Sequence, residues 1–242
     1  MDKTWLSRTA LITGEKVLDK LSQSKVLVVG MGGVGSFAAE FIVRAGIGNI
    51  TIIDGDTVEA SNRNRQLPAL ATTEGKYKVD IMQERLLAIN PELNITGIKH
   101  FMTPDDMKNL LLSHSFDYVI DAIDSISPKV KLLTICYQCG TPVVSSMGAG
   151  GKLDPTQIKV VDIADTHTCK LARYIRKRLK KQNIYTGIKA VFSTEDVIKH
   201  SLMYTQSRFK KSAYGTISYL PAAFGGACAS VVIRDLIEKY QH

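Results

Sequence analysis

The chain is poor in cysteine, proline and aromatic residues. Its 242 residues include four cysteines, seven prolines and one tryptophan, and aromatic residues make up 7%. Four cysteines at this length do not make a disulfide scaffold, and a chain of this size buries roughly 70–75% of its unfolded surface without one. We therefore expect reduced thiols and a cytoplasmic protein.

Long uncharged apolar runs are also missing. A membrane-spanning helix needs about 18 or more such residues, and the apolar run 219–233 is shorter. The start, Met1-Asp2-Lys3-Thr4-Trp5, is not a basic segment followed by an apolar one, so we expect no signal peptide. Contact of 219–233 with a membrane surface stays open, although packing inside the protein is the better expectation.

Acidic residues are outnumbered by basic ones. Lys and Arg total 31 and Asp and Glu total 23, which gives a net charge of +8. An excess of this size favours polyanionic partners through electrostatic steering and counterion release. It is a bias towards such partners and does not identify one.

Short apolar runs alternate with amphipathic stretches over the first two-thirds of the chain. The predicted strands are 25–29, 50–53, 94–99, 117–120 and 142–145, and the predicted helices are 33–45, 78–89, 104–114 and 128–139. Apolar strands separated by helices of about 10–15 residues indicate an α/β fold with a doubly wound, Rossmann-like, mostly parallel sheet.

The pattern changes after residue 150. We expect a strand at 157–163 that pairs antiparallel, a basic helix at 170–181, a short strand at 191–193 and a final helix at 220–240. The chain is predicted to be one domain over 1–242, with a nucleotide-binding part to about 150 and a C-terminal elaboration at 151–242.

The first strand runs into a glycine-rich turn that precedes a helix. Gly30, Gly32, Gly33 and Gly35 permit a tight turn and close backbone approach, and the helix N-terminus attracts phosphate. Asp54 ends the second strand, 19 residues after Gly35, where a carboxylate can bind both ribose hydroxyls. To this point the pattern also fits a nicotinamide-dependent oxidoreductase.

Four further features favour a nucleoside triphosphate. A second acid, Asp56, follows Asp54; a donor-rich loop follows; two cations open the helix at 78–89; and two acids follow the fourth strand. Cations at a helix N-terminus are unfavourable unless an anion neutralises them, and a carboxylate at that sheet edge can hold Mg²⁺ against phosphates. The residues concerned are Asp56, Asn62, Arg65, Lys76, Lys78, Asp121 and Asp124.

This series of motifs resembles the ubiquitin-activating-enzyme-like adenylating proteins, the ThiF/MoeB superfamily. The motifs are Gly-x-Gly-Gly-x-Gly from Gly30, Asp-Gly-Asp-x-Val from Asp54, Asn-x-x-Arg-Gln from Asn62, Gly-x-x-Lys from Gly75 and Asp-x-x-Asp from Asp121. Within it the chain is most similar to the tRNA threonylcarbamoyladenosine dehydratases. The stretches 7–9, 64–70, 146–156, 192–195 and 215–222 carry that likeness.

The resemblance implies roles for these residues. The glycine turn, Asp54, Asp56, Asn62 and Asp121 would contact ATP, Arg65 and Lys78 its phosphates, and Asp124 would carry Mg²⁺. Arg8 matches the second arginine of an N-terminal Arg-x-x-Arg element that in relatives reaches the nucleotide of the partner subunit in a homodimer. Trp5 stands at the position of the first arginine.

The resemblance also implies a reaction. Such enzymes adenylate the threonine carboxylate of threonylcarbamoyladenosine beside the anticodon of tRNA, and a nucleophile of the same modification then closes a ring. The result is an ATP-dependent loss of water. Cations and a metal would stabilise the charge on the phosphates, and the sequence offers no evident catalytic base.

The cysteines do not predict a zinc site. Cys136 and Cys139 form a single Cys-x-x-Cys without the second pair found in zinc-binding relatives, so we expect buried thiols and no zinc. Cys169 and Cys228 are isolated. A sulfur-transfer role for either thiol, a cysteine-desulfurase or sulfur-acceptor partner and a structural monovalent cation stay open.

The basic stretch 170–181 carries seven cations and no acid, and apolar residues at helical spacing could dock it. Its hypothesised function is to contact the tRNA backbone without reading sequence, with Arg208, Lys210 and Lys211 as a second cluster. The proposed tRNA-binding residues are Arg173, Arg176, Lys177, Lys180 and Lys181.

Three alternatives stay open. The chain could activate a ubiquitin-like sulfur carrier, act as an NAD-dependent oxidoreductase, or serve as a non-catalytic module that binds tRNA or a membrane. The missing second Cys-x-x-Cys weighs against the first, and the combination of Arg65, Lys78 and Asp124 weighs against the second.

Overall fold

A seven-stranded sheet forms the centre of the protein in the computed structural model, which describes residues 4–207 and 210–241. The strand order is β3-β2-β1-β4-β5-β7-β6. All neighbours pair in parallel except β6 and β7, which are antiparallel. The strands are β1 (Lys25–Val29), β2 (Asn49–Ile53), β3 (Asn94–Ile98), β4 (Tyr118–Asp121), β5 (Val143–Ser146), β6 (Ile158–Asp162) and β7 (Lys189–Ser193).

Helices cover both faces of this sheet. The helices are α1 (Ser7–Thr13), α2 (Glu15–Gln23), α3 (Gly35–Arg44), α4 (Lys78–Ile89), α5 (Pro104–Ser113), α6 (Ile126–Cys139), α7 (Lys170–Lys180) and α8 (Tyr219–Gln241). Apolar side chains of α2, α3, α4 and α8 form one hydrophobic cluster with the sheet, and those of α5, α6 and α7 form a second one. The predicted doubly wound, mostly parallel α/β fold with an antiparallel extension and a final helix is therefore confirmed.

Local sequence signals fix several helix ends. Thr103 and Asp106 form a capping box before α5, with Pro104 at its first position. Gly140 ends α6 in the left-handed conformation, with φ of 67°, which glycine adopts at little cost. The predicted helix boundaries consequently lie within two residues of those observed for α3, α4, α5 and α6.

Two parts of the architecture had no counterpart in the sequence interpretation. Helices α1 and α2 precede the first strand, and a two-stranded hairpin, β8 (Leu202–Ser207) and β9 (Lys210–Tyr214), follows β7. The buried residues Val17, Leu18 and Leu21 give α2 an apolar face, so helical periodicity could have revealed it. Arg208 lies outside the described residues, and Lys210 and Lys211 belong to β9.

The last helix is two residues longer than the predicted helix 220–240, and its apolar part is longer than the run 219–233. Tyr219–Gln241 has 23 residues and contains an 18-residue window with a mean hydropathy of 1.5, enough by length and composition to cross a membrane. Half of that window is buried within the protein. The buried side chains of α8 pack with α3 and the sheet in the first hydrophobic cluster, as expected of a core helix.

Candidate nucleotide-binding site

The carboxyl ends of three neighbouring strands bring the predicted nucleotide residues to one edge of the sheet. Val29 pairs with Ile53 on β2 and with Asp121 on β4. The Gly30 amide donates to the Ile53 carbonyl at 2.8 Å, and the Ala122 amide donates to the Val29 carbonyl at 2.9 Å. The segments that start at Gly30, Asp54 and Ala122 therefore begin side by side, at the edge where such sheets bind ligands.

The glycine turn combines positions that exclude a side chain with one that leaves space. A Cβ on Gly30, whose φ is +97°, would lie 2.9 Å from the Ala122 carbonyl oxygen, and one on Gly35 would overlap the Gly30 carbonyl. A Cβ on Gly32 would meet nothing closer than 3.9 Å. The turn is thus packed from behind and open at Gly32, at the N-terminus of α3, where a phosphate can approach backbone amides.

Asp54 connects the end of β2 to this turn. Its Oδ2 accepts from the Met31 amide at 2.6 Å, and its Oδ1 accepts from the Asp56 amide at 2.8 Å. Burial raises the pKa of Asp54, while the charge of Lys78 and these two hydrogen bonds act in the opposite direction. Each carboxylate oxygen retains acceptor capacity, so the predicted ribose contact is compatible with this geometry.

Lys78 and Asp56, both predicted to contact the nucleotide, contact each other. Lys78 is the first residue of α4 and is buried, and its Nζ lies 3.0 Å from Asp56 Oδ2. The Asp56 carboxylate is half-exposed and neutralises the cation that would otherwise face the positive end of the helix dipole. A triphosphate bound here would compete with Asp56 for the ammonium group.

The donor-rich loop is ordered by its own side chains. Asn62 is buried, and its Oδ1 accepts from the Glu59 amide in a capping box around the short helix Ala60–Asn62. Arg65 is half-buried, and its Nη1 donates to the Ser61 carbonyl at 2.9 Å and to Asn64 Oδ1 at 2.8 Å. Asn62 therefore stabilises the conformation of the loop. Arg65 lies beside the glycine turn, with its backbone carbonyl 3.2 Å from the Cβ position of Gly33.

The two acids after the fourth strand lie in different environments. Asp121 is fully buried, and its Oδ2 accepts from Lys129 Nζ at 2.7 Å and from Ser145 Oγ at 2.6 Å. Asp124 is exposed at the same edge. The predicted nucleotide contact of Asp121 can only be indirect in this structure, because its carboxylate is occupied inside the core, and Asp124 is the acid that lies exposed at this edge.

Sequence reasoning missed Lys129, the buried partner of Asp121. Its side chain has no exposed surface. Leu132, Leu133 and Cys136 follow it on the same buried face of α6, so a lysine at a core position was the available signal. A charge buried this deeply needs a partner of opposite charge, and Asp121 supplies it.

The C-terminal segment reaches the same site. Asn64 Nδ2 donates to the Thr216 carbonyl at 2.9 Å, and Pro221 lies 3.0 Å from the Cβ position of Gly33. Residues 216–221, which precede and open α8, therefore contact both the glycine turn and the loop that carries Arg65.

Arg8 lies on α1 and is exposed, together with the next residues on the same helical face. Leu11 and Ile12 have exposed fractions of 87% and 86%. Positions three and four residues apart share one face of a helix. The single chain thus presents Arg8 beside two uncovered apolar side chains.

The basic helix is docked as predicted, but its cations differ in role. Ala172, Ile175 and Leu179 are buried. Arg176 donates to the carbonyl of Thr166 at 2.5 Å and to its hydroxyl, so this predicted tRNA contact is engaged within the protein. The remaining predicted residues are exposed and form one stripe, Arg173, Lys177, Lys180 and Lys181.

The cysteines are free and mostly buried. Burial raises the pKa of Cys136, and it raises the pKa of Cys228 to about 12. Both thiols are therefore protonated at neutral pH and poor nucleophiles. Cys169 is buried immediately before α7. Within residues 4–207 and 210–241, no group of three His, Cys, Asp or Glu side chains is placed to hold a metal ion.

Comparison with known proteins identifies the family. The sequence profile of the ThiF family matches residues 6–242. The chain belongs to the ThiF family. The ThiF-family chain is 38% identical to the tRNA threonylcarbamoyladenosine dehydratase of Bacillus subtilis, over 97% of this chain and 95% of that protein.

A solved structure extends the likeness to three dimensions. The ThiF-family fold matches the crystal structure of Escherichia coli tRNA N6-threonylcarbamoyladenosine dehydratase in complex with ATP, with a TM-score of 0.89 and 38% identity over 98% of this chain and 95% of that one. The molybdopterin-synthase adenylyltransferase of Escherichia coli is 34% identical over 62% of this chain and 59% of that protein. The likeness to the dehydratases thus includes the C-terminal third.

Proposed function

We propose that this protein dehydrates threonylcarbamoyladenosine in tRNA in an ATP-dependent reaction. The observation that carries the proposal is the sheet edge at which the open glycine turn, Asp54, Arg65 and Lys78 meet. Whole-length similarity to the dehydratases, one of which binds ATP in its crystal structure, supports it. A nicotinamide-dependent reaction is disfavoured because it has no use for Arg65, Lys78 and Asp124 together.

The residues divide the adenylation step between them. The amides at the start of α3 and the Arg65 and Lys78 side chains stabilise negative charge on the phosphates while the substrate carboxylate attacks the α-phosphorus and pyrophosphate leaves. Asp54 holds the ribose. The acyl adenylate is then captured by a nucleophile of the same modification, which releases AMP, and the intramolecular geometry gives this step a high effective concentration.

Asp124 is the residue for Mg²⁺. An exposed carboxylate at this edge suits a Mg²⁺ ion whose other ligands are phosphate oxygens and water. When bound, the ion supplies charge neutralisation at the phosphates. A structural monovalent cation, which the sequence left open, has no further support.

The protein acts as a homodimer in which Arg8 reaches the nucleotide of the partner subunit. The support is the exposed face of α1, where Leu11 and Ile12 leave a large apolar surface in water beside Arg8. If a second copy covered this face, Arg8 would lie at the interface between the two subunits. Burial of both side chains would contribute roughly 1.5–3 kcal/mol each.

The exposed stripe of α7 is the tRNA-backbone contact, and the net charge of +8 assists encounter with the polyanion. The free thiols support a reducing, cytoplasmic location. A sulfur-transfer partner and contact of α8 with a membrane surface stay hypotheses without further support, because the apolar face of α8 packs in the core.

The deciding experiment measures mass loss in a tRNA nucleoside. The protein is incubated with ATP, Mg²⁺ and tRNA that carries threonylcarbamoyladenosine, and the tRNA is digested under mild conditions. We expect the modified nucleoside to lose one water. Asp124→Ala should abolish the loss, whereas Asp105→Ala, which removes an exposed acid from the first turn of α5, should not.

The alternative is activation of a ubiquitin-like carrier protein. It is favoured by the similarity to molybdopterin-synthase adenylyltransferase over 62% of this chain. If the nucleoside mass is unchanged and a carrier protein stimulates pyrophosphate exchange instead, the dehydratase assignment fails and this alternative replaces it.

A further inference from the structure

A small cavity of about 270 Å³, open to solvent, lies beside the nucleotide site and has no role in the binding of ATP described above. Three segments line it: 151–153, which follows β5, 198–201 before the hairpin, and 215–217 after it. Drug-sized ligands occupy cavities of roughly 300–1,000 Å³. This cavity therefore suits a group smaller than a whole nucleotide.

Backbone hydrogen bonds fix the shape of the cavity. The Gly151 amide donates to the Gly215 carbonyl at 2.7 Å, and the Gly215 amide donates to the Ser201 carbonyl at 2.8 Å. The Ile198 amide donates to the Gly151 carbonyl at 2.8 Å. The three segments are thus joined to one another, so the walls are formed before any ligand binds.

The walls combine apolar and polar groups. Leu153, Ile198 and Ile217 supply apolar surface, and His200, Ser201 and Thr216 supply a donor and two hydroxyl groups. Lys152 also belongs to the lining, but its Nζ donates to the Ser193 carbonyl at 2.8 Å and burial lowers its pKa, so it is not counted as a cation for the ligand. Such a lining matches a small group that carries both a methyl group and hydrogen-bonding atoms.

The cavity is connected to the phosphate end of the nucleotide site through two hydrogen bonds. The carbonyl of Thr216 accepts from Asn64 Nδ2 at 2.9 Å, and Asn64 Oδ1 accepts from Arg65 Nη1 at 2.8 Å. A ligand in the cavity therefore lies next to the loop that holds Arg65. Adenylation requires the substrate carboxylate at this place, close to the α-phosphate.

We infer that this cavity receives the threonylcarbamoyl group of the modified adenosine and directs its carboxylate towards Arg65. The inference rests on the proposed dehydratase function and adds the location and the recognition of its acyl substrate. The methyl group of the threonine packs on Ile198 and Ile217, and its hydroxyl and the carbamoyl group bond to His200 and Thr216. ATP remains in its own site at the glycine turn.

The test uses a His200→Ala, Thr216→Val double variant, which shortens one side chain of the cavity and replaces one hydroxyl by a methyl group. His114→Ala, Thr96→Val is the matched control, because it makes the same two changes at exposed residues outside the lining. Each protein is assayed with tRNA carrying threonylcarbamoyladenosine and with tRNA carrying glycinylcarbamoyladenosine, which lacks the methyl and hydroxyl groups.

We expect the double variant to raise the KM for threonylcarbamoyl tRNA about tenfold while the KM for ATP stays the same. Its preference for the threonyl over the glycinyl substrate should fall towards one, and the control should keep the wild-type preference. An unchanged KM for tRNA and an unchanged preference in the double variant would overturn the inference. Failure of the wild-type protein to dehydrate either tRNA would overturn the proposed function itself, a result distinct from the other.

Discussion

Two acids that the sequence places at the same site, Asp121 and Asp124, have different environments in the structure. Asp121 ends β4 at the ligand-binding edge, yet its carboxylate is fully buried against Lys129 and Ser145. Asp124, three residues later, is exposed at that edge. The buried ion pair fixes the end of β4 and the start of α6, and with them the segment that presents Asp124.

Removal of one partner of this pair should be costly. Lys129→Met leaves the Asp121 carboxylate buried without its cation, so we expect a loss of about 3–5 kcal/mol in the free energy of unfolding, measured by urea denaturation. Lys189→Met is the control, since its ion pair with Asp235 is half-exposed and worth about 0–1 kcal/mol. Equal effects of the two substitutions would contradict the structural role of the buried pair.

At the scale of elements, the contact between α3 and α8 positions the glycine turn. Gly225 of α8 faces the segment that leads from the turn into α3, and a Cβ there would lie 2.6 Å from the Val34 carbonyl oxygen. The neighbouring Gly226 has room, because its Cβ would make an ordinary contact with Phe41 at 3.6 Å. The long C-terminal helix therefore supports the phosphate-binding turn from behind.

Alanine at these two positions should have opposite effects. Gly225→Ala must displace backbone atoms, so we expect a loss of about 1–3 kcal/mol and weaker ATP binding by calorimetry. Gly226→Ala should leave ATP binding intact and stabilise α8 by up to about 1 kcal/mol, the helix preference of alanine over glycine. The idea fails if both variants bind ATP as tightly as the wild type.

The exposed stripe of α7 makes a second prediction at this scale. Lys177→Gln, Lys181→Gln should weaken tRNA binding and reduce the slope of log K against log salt concentration by about 1.5, because each lost phosphate contact accounts for roughly 0.7–0.9. Lys16→Gln, Lys20→Gln removes the same charge from α2. A slope that changes equally in both variants would assign the effect to net charge and not to this stripe.

At the scale of the whole molecule, the proposed dimer can be tested by complementation. Arg8→Ala and Lys78→Ala should each be inactive as homodimers. In a mixed dimer, the Arg8→Ala subunit keeps Lys78 and receives Arg8 from its partner, so we expect one working site and recovery of dehydratase activity after co-expression.

Two controls accompany this experiment. Mixing either variant with itself should give no recovery, and Leu11→Asp, Ile12→Asp should reduce dimer formation in light scattering because both side chains are exposed on α1. If the mixed dimers form and remain inactive, Arg8 acts within its own subunit or has no role at the nucleotide.

The fold class, the antiparallel extension and the sheet edge of the candidate site could be predicted from the sequence. These features depend on local patterns: apolar periodicity, a glycine turn between a strand and a helix, and acids at strand ends. The docking residues of α7 were also predictable, because Ala172, Ile175 and Leu179 recur at helical spacing.

The partners of the charged side chains depend on the tertiary structure. Lys78 with Asp56, Asp121 with Lys129 and Arg176 with Thr166 are contacts between segments separated by 8 to 22 residues. The cavity beside Thr216 joins segments from distant parts of the chain. Sequence spacing indicates that a charge is present, but its partner depends on distances across the fold, so the division between structural and available charges required the coordinates.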